Sequence, residues 1–239
     1  MNLKTQALNS RFFRSFPQIL FSLAVAIAPL HAQANNYLHA GKPDFAALLA
    51  PPPSPGSAEQ KYDLAEVVSV HQDCPSNEIA AAMSQDNGVS IFYFTPAIGN
   101  VFQPGKLPVT EAFLQRVHED AETVVDDAKN YWKRPRPYVI DPGLASGKLA
   151  KSFSYPSGHS TESMVLALVL ADLFPDRQNA IIATARDIGW HRVEIARHYP
   201  TDIYAGRVLA QAIIREMKRN PIFQKDLAKA KAEINAAQK

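Results

Sequence analysis

The chain has 239 residues, a formal net charge of +2 and one cysteine. Its length suits a single domain with a substantial core, and the lone Cys74 excludes an intrachain disulfide. Beyond the N-terminus no stretch reaches the roughly 18 uninterrupted apolar residues of a membrane helix, which argues against a polytopic membrane protein.

The chain begins like a secretory precursor. Lys4, Arg11 and Arg14 form a basic start without an acidic residue, 19–30 is an apolar run broken by Ser22 and Pro29, and Ala32-Gln33-Ala34 fits a small-x-small cleavage site. That run is short for a membrane span, which needs roughly 20 residues. Residues 1–34 are therefore read as a signal peptide. Cleavage after Ala34 removes three basic residues and leaves 22 basic against 23 acidic. The positive charge thus belongs to the leader and gives no support for a nucleic-acid or anionic-membrane partner.

Residues 35–57 read as an extended arm, because Pro51-Pro52-Pro53 and Pro55-Gly56 are incompatible with regular helix. A helix is predicted over 58–71, with Tyr62, Leu64, Ala65 and Val68 as its apolar side. Cys74-Pro75-Ser76 interrupts it, and Ser76 is placed to cap a second helix over 78–83. Ile91-Phe92-Tyr93-Phe94 favours a strand by composition but has no partner strand, so it reads as a short buried helix or loop. Thr110 is placed to cap a long helix ending near 134, in which Phe113, Val117, Ala121, Val124, Ala128 and Trp132 keep a three-or-four spacing. Pro135 and Pro137 end it, and 141–154 is a polar, glycine-containing loop. A central helix over 159–174 carries the run Met164-Val165-Leu166-Ala167-Leu168-Val169-Leu170-Ala171, the mark of an element driven into the core. Pro175 stops it. Helices over 176–197 and 201–219 and a charged amphipathic tail complete the chain. The sum is an all-α fold: a single-domain helical bundle over 58–239 around a buried central helix, with its active site at helix termini.

Three short patterns carry chemistry: Lys129 with Arg136-Pro137, then Pro156-Ser157-Gly158-His159, then Arg192 with His198 and Asp202. Ser157 can cap the central helix, and Gly158 lets the backbone approach a ligand closely. The free N–H groups of the first turn favour an anion, to which His159 can bring a proton. Lys129 borders the buried stripe of its helix. Ile181, Ala185, Ile188 and Arg192 share one face, so Arg192 needs an anion, from a protein carboxylate or from a ligand. His198 and Asp202 are four apart at a helix start that Pro200 helps to begin. The carboxylate can hold one ring nitrogen and leave the other bare and nucleophilic. Each pattern alone has an ordinary reading: a surface turn, a solvated lysine, an ion pair, a structural His–Asp pair. Together they suit phosphoryl transfer. Guanidinium forks match phosphate oxygens two at a time. Converging cations with covalent catalysis offer a metal-free route through a very slow hydrolysis.

These blocks, in this order and spacing, resemble the signature of the type 2 phosphatidic acid phosphatase superfamily: Lys-x6-Arg-Pro, Pro-Ser-Gly-His, and Ser-Arg-x5-His-x3-Asp. That superfamily also holds the bacterial class A non-specific acid phosphatases and the vanadium haloperoxidases. The likeness covers roughly 110–210. Tyr155-Pro156-Ser157-Gly158-His159-Ser160 and Arg177-Gln178-Asn179 are especially similar to the secreted class A enzymes. One position departs, since the third block here begins His191-Arg192. His191 reads as a packed or solvent-facing ring rather than an extra phosphate donor. The resemblance implies that His198 attacks phosphorus to form a phosphohistidine and that Asp202 holds its tautomer. It implies that His159 protonates the leaving oxygen and then activates water. Lys129, Arg136, Arg192, Ser157 and the Gly158 N–H would bind the phosphoryl oxygens, with no metal and no cofactor.

The expectation is a periplasmic or secreted acid phosphatase acting on small-molecule phosphate monoesters. It has no nucleic-acid partner and no stable membrane insertion after signal removal, and a homo-oligomer is left open. The rival readings are a lipid or isoprenoid phosphate phosphatase at a membrane surface, a vanadate-dependent haloperoxidase, and a phosphate-binding protein without turnover. A fourth is a metal site built from His159, His191, His198 and Asp202.

Overall fold

The computed structural model describes residues 37–238, and the expected leader, 1–34, lies outside the described residues. All regular structure among the described residues is helical: α1 (Phe45–Leu48), α2 (Ala58–Asp73), α3 (Ser76–Ser84), α4 (Thr95–Ile98), α5 (Pro108–Trp132), α6 (Pro137–Ile140), α7 (Gly158–Leu173), α8 (Gln178–Glu194), α9 (Pro200–Met217) and α10 (Pro221–Ala237). Ile91–Phe94 is a buried 3₁₀ turn rather than a strand.

The apolar run of α7 explains the architecture. Along 164–170 every side chain except Leu168 is buried, so this helix has no solvent face and must be surrounded. α5, α8, α9 and α10 pack around it. Phe113, Val117, Ala121, Val124 and Ala128 of α5 are all buried against that core, and Trp132 is partly buried.

The N-terminal half corrects several local expectations. α2 turns inward a face that is only partly the expected one: Leu64 and Val68 pack half-buried against an apolar cluster, but the buried residues are Asp63 and Val67, whereas Tyr62 is 78% exposed and Ala65 is exposed. A carboxylate took the inward position because a buried arginine, Arg134, waits there as its partner at 2.6 Å. Thr110 does not cap α5. That helix starts two residues earlier, with a proline at its first position, where a missing N–H costs nothing. Its free N–H groups are met from a distance, since Glu233 of α10 accepts from the Val109 and Thr110 amides at 3.0 and 2.8 Å. Ser76 likewise stands inside α3 rather than capping it, and Pro75 occupies the cap without a side-chain bond.

The arm is tied down and contains a helical turn. Tyr37 is buried among Phe113 and Phe223, and its amide donates to Asp120 at 2.6 Å. At the far end of α5, Lys133 adopts a left-handed conformation (φ 51°). A side chain there is strained, and the chain reverses so that Arg134 and Arg136 both turn inward and are buried.

Candidate active site

The Pro-Ser-Gly-His turn lies against the start of α9. Ser157 donates its amide to the Asp202 carbonyl at 3.1 Å, and Ser160 donates its hydroxyl to the Ile203 carbonyl at 2.8 Å. This approach depends on Gly206, where a Cβ would stand 2.9 Å from the Ser157 carbonyl oxygen. Ser157 also caps α7, its Oγ accepting from the Ser160 amide. Two motifs some forty residues apart in sequence are thereby locked into one wall.

His198 is fully buried in that wall. Its Nδ1 lies 3.3 Å from Asp202 Oδ2, and its Nε2 lies 3.1 Å from a guanidinium nitrogen of Arg136. A carboxylate only accepts and a guanidinium only donates, so the partners assign the proton to Nδ1 and the lone pair to Nε2. Burial, and then the charges of Arg136 and Lys129, pushes the ring pKa well below its ordinary value, which keeps it neutral. Asp202 is itself over-determined. Its Oδ1 accepts from Arg134 at 2.6 Å, and its Oδ2 accepts from the Ser154 hydroxyl at 2.6 Å and the Tyr199 amide at 3.0 Å. Arg134 continues to Asp63 and lies 3.8 Å over the Tyr199 ring.

His159 is held from the opposite side. Its Nε2 lies 2.8 Å from the backbone carbonyl of Gln85, just beyond α3. Burial and the neighbouring Arg192 push this ring down to about 4. His191 does not face the cavity. It is half-buried, with its Nδ1 2.8 Å from the Gln85 side-chain oxygen.

A cavity of about 210 Å³ lies between the two histidines, and Lys129, Arg136, Gly158, His159, Arg192 and His198 all line it. Ser157 and Asp202 stand behind the wall, fully buried. Lys129 donates to the Phe153 carbonyl at 3.0 Å; burial and then Arg136 bring its pKa down to about 8. Arg136 is fixed by the Ser152 carbonyl at 2.8 Å and the Arg197 carbonyl at 3.0 Å. Arg192 has its anion in the protein: it donates to Asp86 at 3.1 Å and to the Ala82 carbonyl, while burial lowers its pKa to about 10.

Further charged groups, beyond those expected from the sequence, line or support the cavity. Arg197 and Asp86 line the cavity and pair with each other at 2.8 Å. Burial raises the Asp86 carboxyl, but the bond and charge of Arg197 and the charge of Arg192 outweigh it and hold the pKa below the usual carboxylate value. Glu162 also lines the cavity, 3.1 Å from His118. Arg134 supports the site from behind. The available signal was proximity, since Arg134 and Arg197 adjoin residues of the blocks.

The cations of this cavity can bind a tetrahedral oxyanion between a neutral, lone-pair-bearing His198 and a second histidine. The metal set from His159, His191, His198 and Asp202 is disrupted by His191 turning to Gln85. Among the described residues the grouping of metal-type ligands within 4.8 Å is Cys74, Glu78 and Glu194, none of which lines this cavity.

The PAP2 superfamily pattern matches residues 120–222. A non-specific acid phosphatase of Providencia stuartii is 33% identical over 202 residues, covering 80% of this chain and 81% of that one. A lipid A 1-phosphatase of Rhizobium etli is 45% identical over 53 residues, 22% of this chain and 23% of its own. Among solved structures, a transmembrane PAP2 type phosphatidylglycerolphosphate phosphatase from Bacillus subtilis superposes with a TM-score of 0.51 at 20% identity, covering 73% of this chain and 89% of that one. That likeness is one of fold.

Proposed function

Because this chain belongs to the PAP2 superfamily alongside the non-specific acid phosphatases, we propose that it is an acid phosphatase. It hydrolyses small-molecule phosphate monoesters through a phosphohistidine on His198, needs no metal, and works in the periplasm or outside the cell. The observation that carries the reading is the state of His198: Nδ1 held by Asp202, Nε2 carrying the lone pair, and Lys129, Arg136 and Arg192 around the same cavity.

In the first half-reaction Nε2 forms a bond to phosphorus as the P–O bond to the alcohol breaks. The departing oxygen takes the Nδ1 proton of a protonated His159. Lys129, Arg136, Arg192 and the first-turn amide of Gly158 meet the three equatorial oxygens, and the Arg136 N–H that faces Nε2 turns to one of them. In the second half-reaction His159 Nδ1 takes a proton from water, the water oxygen bonds to phosphorus, and the N–P bond breaks. Phosphate leaves and His198 is restored.

The test is hydrolysis of p-nitrophenyl phosphate by protein lacking 1–34, with EDTA present, beside His198→Ala. Turnover is expected in the first, with a loss of at least about a thousandfold in the second. Turnover surviving in the variant would give the nucleophile's role to another residue, and activity lost to EDTA would end the metal-free reading. Recovery of the mature chain in a periplasmic or extracellular fraction tests the location. The lipid A 1-phosphatase likeness favours a second reading, a phosphatase of lipid phosphates at a membrane surface. No described helix is long and apolar enough to cross a membrane. A kcat/KM higher on micellar lipid phosphate than on soluble esters would select this second reading.

A further inference from the structure

We propose that His191 is a positioning residue: by clamping Gln85 it fixes the imidazole of His159 and so serves proton transfer without touching the substrate. The inference rests on the phosphatase reading given above. It concerns a residue that faces away from the cavity.

Two contacts of equal length link His191 to His159 through Gln85. His191 Nδ1 meets the Gln85 side-chain oxygen at 2.8 Å, and the Gln85 backbone carbonyl meets His159 Nε2 at 2.8 Å. A carbonyl can only accept. His159 must therefore carry a proton on Nε2 in both of its charge states, and every proton it exchanges with substrate or water passes through Nδ1. The Gln85 carbonyl thus sets the reacting atom of His159, and a shift of that carbonyl turns the ring.

The carbonyl needs an anchor. α3 ends one residue before Gln85 and buries Ala82 alone, so apolar packing holds this helix weakly. Its C-terminal end is held instead by polar contacts from α8 and the segment after it. Arg192 takes the Ala82 carbonyl and Asp86, and Arg197 takes Asp86. These contacts bracket Gln85 but leave its side chain to His191. The imidazole at 191 supplies the reach and the N–H that the Gln85 amide oxygen needs. This gives a chemical role to the one residue at which the third sequence block departs from its pattern.

Kinetics on soluble esters with His191→Phe, Gln85→Ala and the double variant test the link. His191→Phe is expected to lower kcat about tenfold, with KM within about twofold, because a misplaced catalytic group costs rate rather than binding. The loss should grow from p-nitrophenyl phosphate to an alkyl phosphate, since the poorer leaving group depends more on the proton. Gln85→Ala should match it, and the double variant should be no slower than either single one. His191→Asn, whose amide N–H can stand near the position of Nδ1, should return kcat to within about threefold of the parent. An unchanged kcat in His191→Phe, a multiplicative double variant, or a loss equal for all leaving groups would overturn the proposal. Nitrogen-15 spectra of the histidine rings decide it independently of turnover. His159 should be the Nε2–H tautomer in the parent and a tautomer mixture in His191→Phe; an unaltered His159 signal also overturns it. A His159→Asn variant as fast as the parent would instead strike the phosphatase reading's choice of acid.

Discussion

The two histidines across the cavity are held in opposite ways. His198 donates to a carboxylate inside a buried network that runs Asp202–Arg134–Asp63 and joins α9, the segment after α5, and α2. His159 donates to a neutral backbone carbonyl beyond the end of a nine-residue helix. On the proposed mechanism the difference follows from what each ring would have to do. A nucleophile gains positive charge as it bonds to phosphorus, and a fixed carboxylate stabilises that charge. A general acid must give up its proton and take it back in each cycle, and a strongly charged partner would favour one state over the other. A neutral acceptor orients the ring and leaves its charge free to change.

The comparison breaks first at the partners. Asp202→Asn is expected to lower kcat by about 10³–10⁴ by weakening the hold on the His198 tautomer, and to lower the thermal midpoint as well, since Arg134 loses a charge partner. His159→Gln should lower kcat by about 10²–10³ with little change in the midpoint, because the partner carbonyl is neutral and the glutamine amide N–H stands near the position of Nε2 and keeps a donor to it. A midpoint that falls equally in both would show that the two sides are built alike. Steady-state kinetics and thermal melts of the two variants check this.

A second contrast concerns stability. Arg134→Met leaves Asp63 and Asp202 buried without their cation, at a cost of about 3–5 kcal/mol. Asp86→Asn, on the His159 side, replaces a carboxylate that is 17% exposed by an amide whose oxygen can still accept from the buried Arg192 and Arg197, and should cost about 1–3 kcal/mol. Urea unfolding midpoints order the two. A larger loss for Asp86→Asn would make the α3 side the structural keystone and the Asp202 network the accessory.

What the sequence disclosed follows the same division. The α7 run, the stripe of α5 and the three blocks are local patterns, and helical periodicity with residue spacing sufficed to read them. Arg134 was illegible because it sits between Lys133 and Pro135, where a helix end normally leaves charge in water. Only the left-handed turn at Lys133 sends it inward to Asp63, 71 positions away. Asp63 was overlooked because Tyr62 and Leu64 on either side looked like the buried face. Thr110 looked like a cap because no local pattern announces that Glu233, from the far end of the chain, takes that role. Asp86 and Gln85 reach the site from a segment with no motif of its own, and their partners identify them only in three dimensions.

The smallest expected effect is also the most direct reading of the charge state of His159. Burial and Arg192 hold this ring at about 4, against roughly 6.5 in an unfolded chain. Between those values the unfolded state binds more protons, so stability rises with pH across this window and falls on acidification. Asp86 and Glu162 face the same ring and favour its charged form, but burial and Arg192 outweigh them. A phosphate anion placed in the cavity adds negative charge beside His159 and raises its pKa. Binding of inorganic phosphate at about pH 5 should therefore take up a fraction of a proton that His159→Asn does not take up. Lys129, at about 8, is already charged at that pH and adds nothing to the difference. Calorimetric titrations in two buffers of different ionisation enthalpy measure the uptake. The same anion should raise the thermal midpoint more at pH 5 than at pH 8. Equal uptake in parent and variant would mean that His159 does not sense the anion, and its role as the acid would then fall.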